Sequence, residues 1–175
     1  MNTPVVHGQR AKLRIRSAAN KHLGFMLGTE LLVVPILAVQ EIVSQQEITH
    51  VPRMPDYVRG VINLRGRVLA VVDLRIRLGI EPIPFTKRTC IVVAQVPGPD
   101  GMVSMGLLVD QVTEVLDIAK DQIDPAPDFG SAIDRSHLAG MARLGQKVAL
   151  VIDLPKLLGP PPAVVESHTK SVALS

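Results

Sequence analysis

Residues 60–79, GVINLRGRVLAVVDLRIRLG, are similar in sequence to residues 140–159, GMARLGQKVALVIDLPKLLG. Aligned without a gap, the two stretches are identical at eight of twenty positions, and both end in V-x-D-L-x-x-x-L-G. Upstream of each, VQEIV at 39–43 is similar to VTEVL at 112–116. Internal similarity of this kind is typical of a fold built from related units. The sequence therefore predicts a core that is built twice.

Each copy predicts the same local structure. A Val- and Ile-rich strand, 67–72 or 147–152, leads to an aspartate at the position of a helix N-cap, Asp73 or Asp153. One short helical turn then ends at Gly79 or Gly159, where a C-terminal glycine is common. Helix capping explains both aspartates, so they are not interpreted as a catalytic acid pair.

The composition favours strands throughout. Phe25, Phe85, Phe129 and Tyr57 are the only aromatic residues, so Val, Leu, Ile and Ala must fill the core. Branched side chains pack well on pleated surfaces. Strands at 90–95 and 102–109 flank the turn sequence PGPDG, which predicts a hairpin. We therefore expect a mainly all-β fold of two small barrels packed side by side, with short helical turns.

The charge is unevenly distributed. The chain carries a net charge of +3 at pH 7, yet residues 1–22 contain five basic residues and no acidic one, which leaves the remainder mildly acidic. Residues 1–20 are interpreted as a flexible basic arm, 21–159 as the folded core, and 160–175, after Gly159-Pro160-Pro161-Pro162, as a flexible tail. The longest apolar run, 31–39, is far shorter than the ~20 residues of a spanning helix.

Known catalytic and metal-binding patterns are missing from the sequence. The five histidines are widely separated and are expected to be surface residues, and no cysteine cluster or phosphate-binding glycine motif occurs. Cys90, the single cysteine, excludes an intrachain disulfide, is consistent with the cytoplasm, and lies in an apolar run typical of a core strand. No catalytic residue, metal or cofactor is therefore predicted.

Three polar residues of the first copy remain candidates for partner binding. Glu41 lies in a β-branched run, where a solvated strand position is an equally good explanation. Asn63 and Gly66 fit a tight turn between two strands. Arg65 is not explained by turn chemistry, because the second copy has Gly145 there. An arginine on a tight turn presents a planar donor fork suited to a carboxylate.

The core resembles the CheW family of chemotaxis coupling proteins over residues 21–159. The resemblance lies in FMLGTE (25–30), VVPI (33–36), VQEI (39–42), YVRGVINLRG (57–66) and VVDLR (71–75), and continues in GLLVD (106–110), VTEVL (112–116), IDPAP (123–127) and LAG (138–140). It implies two five-stranded SH3-like barrels, with subdomains at approximately 21–85 and 86–159 and an exchange of terminal strands between them left open.

The resemblance also implies a function and a set of site residues. It implies a non-enzymatic, cytoplasmic adaptor that joins the cytoplasmic tip of methyl-accepting chemoreceptors to the regulatory domain of a CheA-type histidine kinase, peripheral to the membrane through receptors only. The partner-binding residues it implies, together with Asn63 from the turn, are Val39, Glu41, Gly60, Asn63, Arg65 and Val115.

An alternative function rests on the basic arm alone. A small barrel with such an arm could bind nucleic acid, although scarce aromatic residues and a mildly acidic core argue against it. The residues do not distinguish flagellar chemotaxis, twitching motility or other chemosensory pathways.

Overall fold

The Val- and Ile-rich runs form strands, as their branched side chains favour. The structure, a computed structural model, describes residues 18–126 and 133–159. The strands in these ranges are β1 (Lys21–Leu27), β2 (Glu30–Pro35), β3 (Val39–Ser44), β4 (Val58–Leu64), β5 (Arg67–Asp73), β6 (Cys90–Gly98), β7 (Gly101–Val109), β8 (Gln111–Asp117), β9 (Ile123–Asp124), β10 (Leu138–Leu144) and β11 (Lys147–Ile152). The α-helices are α1 (Leu74–Arg77) and α2 (Leu154–Leu158), and 3-10 turns cover Ile36–Ala38, Lys120–Gln122 and Arg135–His137.

The strands form two sheets, which confirms the mainly-β expectation. One sheet has the order β3-β6-β7-β5-β4 and is called here the first barrel. The other has the order β8-β1-β2-β11-β10-β9 and is called the second barrel. The second barrel exceeds the expected five strands only by β9, which has two residues and pairs with β10.

The internal repeat in the sequence is a repeat in structure. Residues 60–79 form most of β4, then β5 and α1, and residues 140–159 form most of β10, then β11 and α2. In each barrel the second strand of this unit pairs in parallel with a strand of another hairpin, β5 with β7 and β11 with β2. The β1–β2 hairpin of the second barrel is therefore the structural equivalent of the β6–β7 hairpin of the first.

The expected boundary near residue 85 does not separate the two sheets. Strands β6 and β7 follow that point yet lie in the sheet of β3–β5, while β1 and β2 lie in the sheet of β8–β11. Parallel neighbours need a long connection, and α1, residues 78–89 and β6 form it between β5 and β7. The first barrel thus comprises 39–109, and the second comprises 21–35 together with 111–126 and 133–159.

Both predicted helix caps are confirmed. The Asp73 Oδ1 atom accepts a hydrogen bond from Arg75 N at 3.0 Å, and Asp153 Oδ1 accepts one from Lys156 N at 3.1 Å. Gly79 and Gly159 follow the helices with φ of 78° and 63°, a region that glycine adopts readily. The two aspartates therefore stabilise the fold as helix N-caps.

The largest apolar cluster joins the two sheets. It contains Phe25 and Leu32 of the second barrel, Val92 and Leu107 of the first, and residues of both helices. Smaller clusters lie within each barrel, one around Ile62 and Ile91 and the other around Val33 and Ala149. Neighbouring residues of one strand thus face different clusters, as the alternation along a strand requires.

One histidine differs from expectation. His22 is 6% exposed, and its Nδ1 lies 3.0 Å from the Asn20 carbonyl oxygen, so the expectation that every histidine lies on the surface is wrong. A ring whose polar edge is satisfied locally can be buried with little cost. His7, His168, most of the predicted arm (1–20) and the predicted tail (160–175) lie outside the described residues. Among the described helices, none is long and apolar enough to cross a membrane.

Candidate functional site

The first barrel closes where the segment after β3 meets β4. Thr49 and Val61 exchange two backbone hydrogen bonds of 2.9 Å. Gly60, beside this bridge, is buried with a φ of 146°, and a Cβ added there would lie 2.0 Å from the Thr49 carbonyl oxygen. Gly60 therefore permits the close approach of two backbones and lies beneath the surface rather than on it.

Two of the candidate residues contact each other at one end of the first barrel. Arg65 Nη2 donates hydrogen bonds to both carboxylate oxygens of Glu41 on β3. The Arg65 side chain is 71% exposed and that of Glu41 is 30% exposed. The hydrogen bond to Glu41, followed by the charge of that carboxylate, raises the pKa of the Arg65 guanidinium. The pair links the edge strand β3 to the turn between β4 and β5.

The β4–β5 turn presents Arg65 in an unusual backbone conformation. Arg65 and Gly66 have φ of 52° and 84°, and two consecutive positive φ values are typical of a type I′ hairpin turn. Asn63 Oδ1 accepts a hydrogen bond from Gly66 N at 2.9 Å, so Asn63 stabilises the turn from the end of β4. Its expected turn role is confirmed, although the positive φ belongs to Arg65 and Gly66.

The remaining two candidates occupy different positions. Val39, at the start of β3, is half-buried and packs against the largest apolar cluster, which joins the two sheets. Val115 lies on β8 in the second barrel and is 52% exposed. The structure thus brings Glu41, Asn63 and Arg65 together at β3 and the β4–β5 turn. It places Val39 two residues before Glu41 on β3, and Val115 on the edge strand of the other sheet.

A mostly buried ion pair near the junction of the barrels was missed in the sequence. Arg75, 9% exposed at the start of α1, donates to Asp110 from Nε at 2.8 Å and from Nη2 at 2.5 Å. Arg75 Nη1 also donates to the Glu81 carbonyl oxygen, and Asp110 Oδ2 accepts from Gly28 N at 2.7 Å. A signal existed, because Arg75 belongs to the V-x-D-L-R motif and the second copy has Pro155 there.

Asp110 makes the stability of the chain sensitive to acid. Burial raises its pKa, but hydrogen bonds from Arg75 and Gly28 N, with the charge of Arg75, outweigh burial and hold the pKa below its usual range. A carboxyl whose pKa is lowered by folding contributes stability above its unfolded pKa of about 3.9, and the contribution is lost as pH falls through the folded value.

We therefore expect the Asp110→Asn variant to have a shallower loss of stability in acid. Its urea midpoint falls less than that of the wild type as pH decreases below about 4, because one linked proton-binding group is missing. Urea titrations at a series of pH values measure this. Parallel pH profiles for the two proteins would contradict the assignment.

Comparisons with known proteins agree with this architecture. Residues 21–160 match the family model described as the CheW-like domain. The chain is 32% identical over 162 residues to the chemotaxis protein CheW of Klebsiella aerogenes, covering 92% of this chain and 95% of that one. It is 36% identical over 135 residues to the probable chemotaxis protein CheW of Rhizobium etli, covering 77% and 84%. The crystal structure of the scaffolding protein TtCheW from Thermoanaerobacter tengcongensis superposes with a TM-score of 0.72 at 33% identity, covering 81% of this chain and 93% of that one.

The chain belongs to the CheW-like family. This membership confirms the resemblance described from the motifs, and with it the assignment as a chemotaxis coupling adaptor rather than an enzyme. The SH3-like double-barrel architecture is likewise confirmed by the similarity to the scaffolding protein.

The CheW-like chain holds its barrels together through side chains as well as the shared core. Arg77 on α1 donates from Nε to the Leu157 carbonyl oxygen on α2 at 2.6 Å, and its guanidinium lies 4.7 Å from the centre of the Tyr57 ring. Such a contact fixes the relative position of the two helical turns.

Two chemical properties of the described residues concern metal ligands and the single cysteine. No group of three or more metal-ligating side chains is found within 18–126 and 133–159. Burial raises the pKa of the Cys90 thiol more than a backbone hydrogen bond from Val112 lowers it, which disfavours the reactive thiolate. Cys90 is thus a strand residue beside the core, as the sequence indicated.

Proposed function

We propose that the chain is a cytoplasmic adaptor that joins the cytoplasmic tip of methyl-accepting chemoreceptors to the regulatory domain of a CheA-type histidine kinase. It would approach the membrane through receptors only and carry no cofactor. The observation that carries the proposal is a double barrel of the CheW-like family whose first-copy residues Glu41 and Arg65 form an exposed pair.

The site residues are proposed to bind partners at two places, a surface on the first barrel and an edge strand of the second. Val39, Glu41, Asn63 and Arg65 offer an apolar residue beside a charged fork, the mixture common at protein interfaces. Val115 offers an exposed apolar side chain on the edge of the other sheet. Gly60, being buried, would influence this surface only by keeping the Thr49 bridge in place.

The direct test is assembly from purified components. The full chain, a soluble receptor-tip fragment and the kinase regulatory domain are mixed and analysed by size-exclusion chromatography with light scattering. We expect binary complexes with each partner and a ternary complex. Failure of the chain to bind either partner would refute the proposal.

The Arg65→Glu variant is expected to weaken binding to at least one partner by about fivefold or more. The substitution reverses the charge of a 71% exposed side chain and places it against Glu41. The midpoint of thermal unfolding should change little, because exposed ion pairs contribute little to stability. Isothermal titration and thermal unfolding measure the two effects.

Arg143→Glu is the matched control for this variant. Arg143 is 78% exposed, lies on β10 of the second barrel, and has its own partner, Asp124, at 3.3 Å. The same charge reversal there should leave both affinities unchanged. Equal behaviour of the Arg65 and Arg143 variants would remove Arg65 from the interface.

The nucleic-acid alternative gains nothing from the described residues. It rested on the arm, and residues 1–17 lie outside them. Deleting residues 1–17 and measuring DNA binding at two salt concentrations tests it, since phosphate binding is steeply dependent on salt.

A further inference from the structure

The edge strands β3 and β8 are counterparts, including an irregularity in their pairing. In β3, Val39 lies opposite Ala94 and Glu41 lies opposite Val93, so Gln40 is an extra residue. In β8, Val112 lies opposite Phe25 and Val115 opposite Leu23, which again leaves one extra residue. Aligning the two irregularities places Glu114 of VTEV at the position of Glu41 in VQEI.

The two equivalent glutamates have different surroundings. Glu41 is covered by Arg65 from the β4–β5 turn. The β10–β11 turn has Gly145 in place of that arginine. The Glu114 side chain is exposed and forms no hydrogen bond or ion pair with the described residues. The second barrel therefore keeps the carboxylate and lacks the guanidinium.

A second polar contact of the first barrel is also absent from the second. Arg67 Nη2 donates to Ser104 Oγ at 2.8 Å, and Ser104 Oγ donates to Gln40 Oε1 at 2.6 Å. The strand registers place Lys147, Leu31 and Thr113 at the equivalent positions. Leucine cannot link the other two, so among the described residues no such side-chain chain closes this end of the second barrel.

An open groove of about 340 Å³ lies at this place. Met26, Leu31 and Val148 supply its apolar wall, and Glu30, Glu114 and Lys147 supply its charges. Two carboxylates and one ammonium leave the groove with a net negative charge. None of these three charged side chains forms an ion pair with another residue that the structure describes.

We propose that this groove receives an arginine side chain from a protein partner of the adaptor. The guanidinium would bind the Glu114 carboxylate by donating to both of its oxygens, as Arg65 Nη2 does to Glu41 within the first barrel. Its aliphatic stem would lie along Met26 and Leu31. The inference rests on the proposed function, because it assigns one contact within that coupling assembly.

The chain itself offers a way to fill the groove. Gly145 has a φ of 66°, close to the 52° of Arg65, and no atom lies within 4 Å of a Cβ added there. Gly145→Arg should therefore supply the missing guanidinium from the same chain and block the partner's arginine. Gly145→Gln is the matched control, since it has the same backbone cost and a long side chain without charge.

The experiment measures affinities of the full chain for the receptor-tip fragment and for the kinase regulatory domain. We expect Gly145→Arg to weaken binding to one of them by about tenfold and Glu114→Gln by about threefold, with Gly145→Gln close to wild type. The loss with Glu114→Gln should shrink at high salt. Circular dichroism and thermal unfolding verify that each variant is folded.

Several results would overturn the inference. One is wild-type affinity of Gly145→Arg for both partners. Another is a loss of affinity with Val148→Ser but none with Glu114→Gln, which would assign the groove to an apolar segment. A wild-type dimer disrupted by Gly145→Arg would assign it to a second copy of the chain. If the wild type binds neither partner, the proposed function fails as well, and this outcome is distinct from the other three.

Discussion

Gly60→Ala is expected to lower the free energy of unfolding by about 3 kcal/mol or more, the largest effect of any single-methyl change proposed for this chain. The added Cβ would lie 2.0 Å from the Thr49 carbonyl oxygen and 2.7 Å from the Thr49 carbonyl carbon. Both are backbone atoms held by the Thr49–Val61 bridge, so relief of the overlap requires opening the first barrel. Urea unfolding followed by circular dichroism measures the change.

Gly66→Ala is the control for backbone conformation alone. Gly66 has a φ of 84°, yet nothing lies within 4 Å of an added Cβ. Its substitution should cost about 1 kcal/mol, the usual cost of a side chain in the left-handed region. If Gly60→Ala costs no more than Gly66→Ala, the close approach of Thr49 is not what requires glycine at position 60.

Arg75→Met is expected to destabilise the chain by about 3 kcal/mol. The change leaves Asp110 without its ionic partner, although the Gly28 N–H still donates to it. It also removes the hydrogen bond from Arg75 to the Glu81 carbonyl oxygen, which holds the segment between α1 and β6. Thermal and urea unfolding provide the measurement.

Two further variants separate the ion pair from simple loss of a side chain. Arg88→Met makes the same chemical change at an exposed arginine and should have little effect. The double variant Arg75→Met/Asp110→Leu should recover part of the lost stability, because no uncompensated charge remains. A double variant less stable than Arg75→Met would show that the pair matters for another reason.

The sequence predicted those parts of the fold whose signals are local. The caps at Asp73 and Asp153 and the hairpin around 97–101 depend on residues a few positions apart, and the structure confirms them. The membership of the sheets could not be predicted in this way. Pairing of β1 with β8 joins residues that are far apart in the chain, and no local pattern specifies it.

The candidate site shows the same limit. The difference between Arg65 and Gly145 singled out Arg65, but its bond to Glu41 appears only when β3 and the β4–β5 turn meet at one end of the barrel. Arg75 and Asp110 were part of the quoted motifs, yet their pairing depends on the fold. The burial of Gly60 likewise follows from a contact with Thr49 that the sequence does not indicate.

The place of the β1–β2 hairpin has a consequence for synthesis of the chain. The first barrel has all its strands once Val109 has left the ribosome, so it can fold early. The second barrel cannot close until β10 and β11 emerge, because β2 pairs with β11. Until then Phe25 and Leu32, both buried in the finished protein, lack the neighbours that β11 and α2 supply. The nascent chain therefore depends on its last strands to protect its first ones from aggregation.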